Sequence, residues 1–430
     1  MIRSKKRVLT NFGRNCAAQS VCIRPDNEKE LVTYLQQKDP GQFLARGSGL
    51  SYNDSCLNKD NLMIDMSRFN HLLSFDSSSG IAICQGKTTF KDLFSLHPDF
   101  IPPIIPGTIH ATLAGGIAHD VHGKNNAHAG SLGQHILWID LLLNGRTIRC
   151  SREENSDLFY ATIAGLGLTG IILRLALRLK KATRFVQVET TSFQNIQSLL
   201  TNMASHELNH DYQVAWLDLL NPEPRALLSV ANHCAPAKLN KPKHFTVPRI
   251  PFNLIHAWNM RLFNTLFFTH SKKSRKVELQ QFNNPLDKVN NWSRLYGRKG
   301  LVQFQALFDK DNALLIIEQL INSIKINQAT PALAVLKLFI RPGEGLLSFC
   351  KPGFTFAIDF PNNQHTHTAI LAMNQIITKA GGRVYLAKDL FLTPEQFLIM
   401  YEKQDEFRTV LTHYECSMHS DLARRLRIKQ

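Results

Sequence analysis

The sequence predicts an α+β protein of two domains, and three observations carry that expectation. Its 430 residues exceed what one core usually organises, at roughly 150 residues per domain. Up to residue 184, short apolar runs alternate with loops dense in glycine and histidine. From about residue 185 glycine becomes sparse, and longer strand-like patches alternate with amphipathic helical ones, the texture of an α+β unit built around one sheet. The composition, 44% hydrophobic and 20% charged, excludes a disordered tail, a collagen-like repeat and a disulfide miniprotein. No run of about 18 uncharged apolar residues marks a membrane span, so a soluble globular protein is expected.

In chain order, Asp26 followed by NEKELVTYLQQ reads as a capped helix with Leu31 and Leu35 on one apolar face. QFLAR (42–46) is a short strand feeding the loop GSGLSYND, and LMIDM, HLLSF and GIAICQ are further strands between Gly and Ser punctuation. The segment PPIIPGTIHATLAGGIAHDVHGKNN is loop-rich, dense in Gly and His, and hard to explain as packing. HILWIDLLL and RTIRC flank Asn144-Gly145, a strong two-residue hairpin signal. SDLFYATIA is a helix opened by Ser156, and GIILRLALRL is a strand ending near Lys181. In the second region VAWLDLL, LVQFQALF, ALAVLKLFI and FTFAIDF read as strands, while NALLIIEQLINSI and HTAILAMNQIITKA read as helices. From GGRVYLAKD onward a strand, helices and a basic tail return.

Lys and Arg number 50 against 34 Asp and Glu, a formal net charge of +16, and the excess is concentrated. Between Pro236 and Val277 there is no acidic residue, while Lys238, Lys241, Lys243, Arg249, Arg261, Lys272, Lys273, Arg275 and Lys276 supply positive charge. Inside lies PFNLIHAWNMRLFNTLFF; as one helix it puts Phe252, Ile255, Trp258, Leu262 and Leu266 on one face and Asn253, His256, Arg261 and Asn264 opposite. Two arrangements fit equally: a helix packed on the core beside a solvated basic loop, or one lying on anionic lipid. The charge flanks apolar residues and no helix-turn-helix, zinc-finger or RNA-recognition signature occurs, so lipid is preferred to nucleic acid as a partner. The eight cysteines are scattered without a C-x-x-C pair, which points to thiols in a reducing compartment rather than a zinc site or disulfide framework. The basic start MIRSKKRVLTNFGRN has no apolar run behind it, so a cytoplasmic protein, peripheral on the inner membrane face at most, is expected.

Gly165-Leu-Gly-Leu-Thr-Gly170 matches G-x-G-x-x-G, but a helix precedes it and a strand follows, the reverse of the order a dinucleotide fingerprint needs. It reads as a tight turn. Two other loops have small residues that let backbone N–H groups face an anion: Arg46 to Ser55, and Pro106 to Gly116 with Asp120, His122, Gly123, Lys124 and Asn125 just beyond. Two amide-lined loops beside a histidine suit a diphosphate with a reactive ring.

RGSGLSYND, PGTIHATLAGGIAHDVHGKNNAHAGSLG and SDLFYATIAGLGLTGIIL together resemble the flavin domain of the vanillyl-alcohol oxidase / p-cresol methylhydroxylase superfamily. Within it, LKLFI, DFP, GGRVYLAKD and SDLARRLRI are most similar to the decaprenylphosphoryl-β-D-ribose 2′-oxidase branch. The resemblance implies a flavin domain made of residues 1–184 and 383–430, with a substrate domain, 185–382, inserted between them and carrying the basic segment 236–277. It implies FAD held by Ala45, Arg46, Gly47, Ser48, Gly49, Leu50, Ser51, Tyr52, Asn53, Asp54, Ser55, Gly107, Thr112, Leu113, Ala114, Gly115, His119, Asp120, Val121, His122, Ile172 and Tyr385. Ser51 and Tyr52 stand where a covalent histidine attachment is commonest, so the FAD is expected to be non-covalent.

The chemistry implied is oxidation of a secondary sugar hydroxyl, with hydride passing to flavin N5 and the hydroxyl proton to a base. The resemblance places Lys388 at the flavin's reactive face, either to stabilise the reduced flavin or to bind the hydroxyl as it deprotonates. His122 is the next catalytic candidate, with a satisfied core histidine as the plain alternative. Lys337 is assigned to the substrate phosphate, and Gln303 and Gln305, two apart on one strand face, to the sugar or flavin. Asn283 stands where the branch has a tyrosine before PLD, and Ala357 where some members have a cysteine; both are expected to face the substrate. The expected substrate is a polyprenyl-phosphate pentose, whose keto product a separate short-chain reductase would convert to the epimer. The alternatives are an aldonolactone or alditol oxidase, against which stands YLAKD in place of an HWG-type motif, and a non-catalytic basic protein docking on anionic membrane.

Overall fold

The computed structural model describes residues 2–37, 41–238 and 244–429; Lys241 and Lys243 of the basic stretch lie outside them. Three main sheets organise the chain. Strands β1 (Lys5–Thr10), β2 (Ala17–Ile23), β3 (Phe43–Arg46) and β4 (Leu62–Asp65) form a four-stranded sheet in the order β1-β2-β4-β3, with helix α1 (Glu28–Gln37) between β2 and β3. Asn27, rather than Asp26, caps α1, accepting from the Glu30 amide at 2.9 Å.

The second sheet contains β5 (Leu72–Asp76), β6 (Ile81–Gln85), β7 (Ile136–Leu143), β8 (Arg146–Ser151) and β9 (Ile171–Arg178), in the order β5-β6-β9-β7-β8. Asn144 and Gly145 join β7 to β8 with φ of 49° and 71°, the left-handed pair of a type I′ turn whose twist matches the flanking strands. The loop-rich segment contains a short helix, α2 (Leu113–Ala118), because Thr112 accepts from the Gly115 amide and starts a turn. The G-x-G-x-x-G run is a turn between α3 (Ser156–Thr162) and β9, with Ala164, Leu166 and Gly167 all at positive φ. Asn155, not Ser156, holds the cap position of α3.

The third sheet has eight strands: β10 (Phe185–Phe193), β11 (Tyr212–Asp218), β12 (Arg225–His233), β13 (Ser274–Glu278), β14 (Leu301–Phe308), β15 (Leu333–Phe339), β16 (Gly353–Pro361) and β17 (Arg383–Val384). Their order is β13-β10-β12-β11-β15-β16-β14-β17. Alternation of side chains along a strand gives this sheet two unlike faces. Phe304, Ala306, Phe308, Phe354, Phe356, Ile358 and Phe360 point one way and are buried with Ile317 and Leu320 of α5 (Ala313–Ile326) and Ile370, Met373 and Ile377 of α6 (Gln364–Lys379). The register pairs Gln303 with Asp359, Gln305 with Ala357 and Lys337 with Thr355, so these polar residues share the opposite face.

The basic amphipathic stretch departs from expectation. Its helix runs only from Ala257 to Thr269, because the Asn253 side chain bonds both the N–H and the carbonyl of Ile255 and holds a turn there. Asn259, which interrupts the apolar face in the sequence, accepts from the His256 amide and donates to the Leu254 carbonyl. It fastens the helix start.

Both chain ends meet. Met418 pairs with Phe43 beside β3, the Asp421 amide donates to the Leu57 carbonyl, and Arg425 is gripped by Asp54 at 2.9 Å and Asp389 at 2.9 Å. Asp389 is 1% exposed, so removing its partner leaves a buried carboxylate unpaired. Arg425→Ala is expected to cost about 3–5 kcal/mol, read as a lowered midpoint in urea denaturation; a change under about 1 kcal/mol, the scale of a surface pair, would refute this anchoring role.

Candidate active site

The two glycine-bearing loops lie against each other. A Cβ built on Gly47 would fall 2.6 Å from the Thr112 hydroxyl oxygen, so the first loop passes the start of α2 at a distance only glycine allows. Gly49, at φ 65°, turns the loop over the Arg46 guanidinium, and Lys87 donates to the Ser48 hydroxyl at 2.8 Å. The backbone N–H groups of residues 47–51 have no acceptor among the described residues. Ile172 sits behind the second loop: a Cβ on Gly86 would meet both the Ile172 carbonyl and the Ala114 side chain.

The C-terminal YLAKD segment closes over these loops. The Tyr52 amide donates to the Ala387 carbonyl at 3.3 Å, and the Asn53 side chain donates to the Leu386 carbonyl. Tyr385 donates its hydroxyl to the His119 carbonyl at 3.0 Å and stacks on Phe349. The Lys388 ammonium lies 3.5 Å over the Tyr52 ring, a cation–π contact. No carboxylate among the described residues comes within salt-bridge distance of it. Burial lowers the Lys388 pKa, Asp359 opposes that shift and Lys337 adds to it.

Opposite these loops stands the polar face of the third sheet. Gln305 donates to Nε2 of His122 at 3.1 Å and to the Thr355 hydroxyl at 3.2 Å. With Nε2 accepting, the neutral His122 ring carries its proton on Nδ1, which is buried without a partner. Burial, with Lys337 and Lys388 nearby, holds His122 well below its ordinary pKa. His119 is held at about 4, by burial and then by Lys388, and its Nδ1 is also unpartnered. Lys337 is pushed down to about 8 by burial. Gln303 donates to Asp359, whose carboxyl burial raises above the usual range.

Several candidate positions hold the site up rather than line it. Asp120 accepts from Ser131, the Gly133 amide and Ser348 at 2.7–2.9 Å, which commits both carboxylate oxygens. Asn53 accepts from the Ser55 amide, Asp54 is paired with Arg425, and Leu113 is fully buried in the core. Val121 is tied through its amide to the Gly116 carbonyl, whereas Ser55 faces His119 at 3.4 Å. A Cβ on Gly107 would meet nothing within 4 Å, so that glycine borders open space. Asn283 is buried with an unpartnered Oδ1, and Asn284 beside it donates to the Pro106 carbonyl. Ala357 lies in the same row as Gln305.

Two residues of this chamber were not assigned a role from the sequence. Lys124 donates to the Phe282 carbonyl and lies 4.5 Å over that ring; burial, then Lys337 and Arg275, push it down to about 7. Its signal was the HGKN run, where it follows His122 by two. Asp359 was legible as the one charged residue in the strand FTFAIDF.

A family model, the FAD binding domain, matches residues 19–151. The chain is 32% identical to decaprenylphosphoryl-β-D-ribose oxidase of Mycolicibacterium smegmatis, across 98% of this chain and 97% of that one. It is 28% identical to L-gulonolactone oxidase of Bos taurus over 44% of this chain and 43% of that one. Cytokinin dehydrogenase 7 of Oryza sativa is 26% identical over 49% and 43%. The residues present fit FAD: unpaired amides at 47–51, two buried imidazole nitrogens without partners, and a Gly107 facing open space. Gly47→Val drives two methyl groups at Thr112, an overpacking of about 1–3 kcal/mol. The variant is expected to retain FAD about tenfold less tightly or worse, by the ratio of visible to protein absorbance after gel filtration; full retention would refute the cradle.

Proposed function

The chain belongs to the FAD-binding oxidoreductase family that includes decaprenylphosphoryl-β-D-ribose oxidase, and from that premise we propose that it oxidises a secondary hydroxyl of a polyprenyl-phosphate pentose. The observation that carries this reading is an unbalanced charge: three half-buried lysines, Lys124, Lys337 and Lys388, line a chamber in which Asp359 acts on Lys388 and no carboxylate among the described residues offsets Lys124 or Lys337. Burying cations without partners is costly, and a phosphate-bearing substrate supplies the missing charge. The lactone oxidase likeness spans less than half of this chain, whereas the ribose oxidase likeness includes the lysine-bearing strands.

We read residues 1–184 and 383–430 as the FAD unit and 185–382 as the substrate unit. FAD is bound non-covalently, since residues 46–55 contain neither histidine nor cysteine. When bound, FAD supplies the two-electron acceptor. Lys337 and Lys124 hold the phosphate, while Gln303, Gln305 and the Nδ1–H of His122 orient the sugar hydroxyls. Asn283 and Ala357 shape the wall against the sugar. Lys388, kept from full protonation by burial, accepts the hydroxyl proton through its neutral amine. The keto product is then available to a separate reductase.

Lys388→Met is expected to keep its yellow flavin yet slow anaerobic bleaching by a polyprenyl-phosphate pentose by about 10²–10⁴-fold. Undiminished bleaching would sink the assignment, and equal bleaching by a free aldonolactone would transfer the reading to a lactone oxidase.

An amine must be unprotonated to accept, so kcat/KM rises with pH and levels off above the lowered Lys388 pKa. Asp359 raises that pKa; in Asp359→Asn the rise therefore moves to lower pH. A rise at the same pH would show that Asp359 does not act through Lys388.

A further inference from the structure

The helix Ala257–Thr269 is mounted inside out. Its one buried side chain is polar: Asn264, 4% exposed, donates to Asp218 at 2.8 Å. Beside it Arg225 bonds Asp218 and the Thr265 hydroxyl and lies 4.4 Å over the Phe268 ring. Its apolar residues project outward instead. Trp258 is 70% exposed and Leu262 58%, with Phe263, Leu266 and Phe267 also exposed. These fall at helical spacing on one stripe, extended by exposed Phe252 just before the helix. Arg261 on the helix and Arg249, Lys272, Lys273 and Lys276 in the chain on either side of it are exposed, and no acid occurs from Pro236 to Val277.

We propose that this face docks on an anionic phospholipid bilayer, with the helix lying in the plane of the interface. A contiguous apolar stripe of this kind marks an interaction surface. The basic residues on and beside the helix select the partner: a second copy would bring two acid-free segments of like charge together, whereas anionic lipid offers an apolar slab beneath negative headgroups. The helix cannot span the bilayer, because no helix among the described residues is long and apolar enough. The patch is also joined to the chamber. The Leu254 amide donates to the Leu295 carbonyl, and ring contacts run from Trp292 through Phe12 to Tyr52, beneath Lys388. Docking here brings the bilayer to a surface linked to the site through Leu254, Trp292 and Phe12.

The test uses the FAD-loaded full chain in vesicle flotation and does not depend on turnover. The protein is expected to float with vesicles of mixed phosphatidylcholine and phosphatidylglycerol, less at high salt, and not with phosphatidylcholine alone. Trp258 emission shifts to the blue on binding, and Trp258→Phe removes that shift. Leu262→Ser combined with Phe263→Ser removes two exposed apolar side chains and is expected to weaken partitioning at least about tenfold. Its melting temperature and flavin content should be unchanged, since neither residue is buried. No flotation with anionic vesicles, undiminished flotation of the double variant, or self-association that the double variant abolishes would each overturn the proposal.

Discussion

One guanidinium holds together segments far apart in sequence. Arg425 sits between Asp54 of the first loop and Asp389 of the YLAKD segment, so the end of the chain fixes its beginning and the loop carrying Lys388 at once. Burial alone would lower its pKa; Asp389 and Asp54 reverse that and hold it charged. Because the arms of the bridge are bidentate to Asp54, they fix orientation as well as distance. Tyr52 is thereby held under Lys388, and the bonds from the Tyr52 amide to the Ala387 carbonyl and from the Asn53 side chain to the Leu386 carbonyl close that seam.

Keeping water out is what gives the amines their chemistry. In solvent a lysine is an ammonium at every physiological pH; with burial over the Tyr52 ring, Lys388 gives up its proton far more readily. The third sheet makes this possible by separating its faces. Aromatic residues on one face pack on α5 and α6, which frees the other to carry Gln303, Gln305, Thr355, Lys337 and Asp359 in adjacent rows. A one-residue slip of β14 or β16 would bury those polar groups in the helical layer, so the core specifies the register that assembles the chamber.

Much of this was legible from residue patterns. Most strands stood out through alternation and apolar runs, and Asn144-Gly145 through the turn it requires, whereas β1, β2, β10, β12 and β13, which are richer in polar residues, did not. The loop at 46–55 was legible as amide-lined because small residues have few other uses at such density, but in 106–116 the amides of Ile109, His110 and Leu113 to Gly116 are spent on Asp287, Thr108, Thr88, Gly86 and Thr112. What pattern could not give was direction. Trp258, Leu262 and Leu266 define an apolar face whichever way it points, and only the Asn264–Asp218 bond turns it outward. Asp120, Asn53 and Asp54 sit inside motif runs yet spend their polar atoms on the scaffold, since nothing in their own sequence neighbourhood reveals Ser348, Leu386 or Arg425 as partners. The α2 helix was missed because Gly115 and Gly116 argue against helix locally, while the Thr112 cap and the buried Leu113 and Ile117 supply the compensation.

The excess of positive charge therefore has two destinations, and they obey different physics. On the surface, Arg249, Arg261, Lys272, Lys273 and Lys276 are solvated, so they cost the fold little and act at a range set by salt. In the chamber, Lys124 and Lys337 are largely desolvated. Unfolded, such amines hold protons up to about pH 10; folded, they hold them only below about 7 and 8. The unfolded chain thus binds more protons between those values, and the fold gains stability as pH rises through that window. An anion placed between the amines works in the opposite direction, raising their pKa values and returning the stability that desolvation took away. The same groups that make the fold less tolerant of neutral pH are those that make it selective for a negatively charged substrate, and the two properties cannot be separated by mutation of either lysine alone.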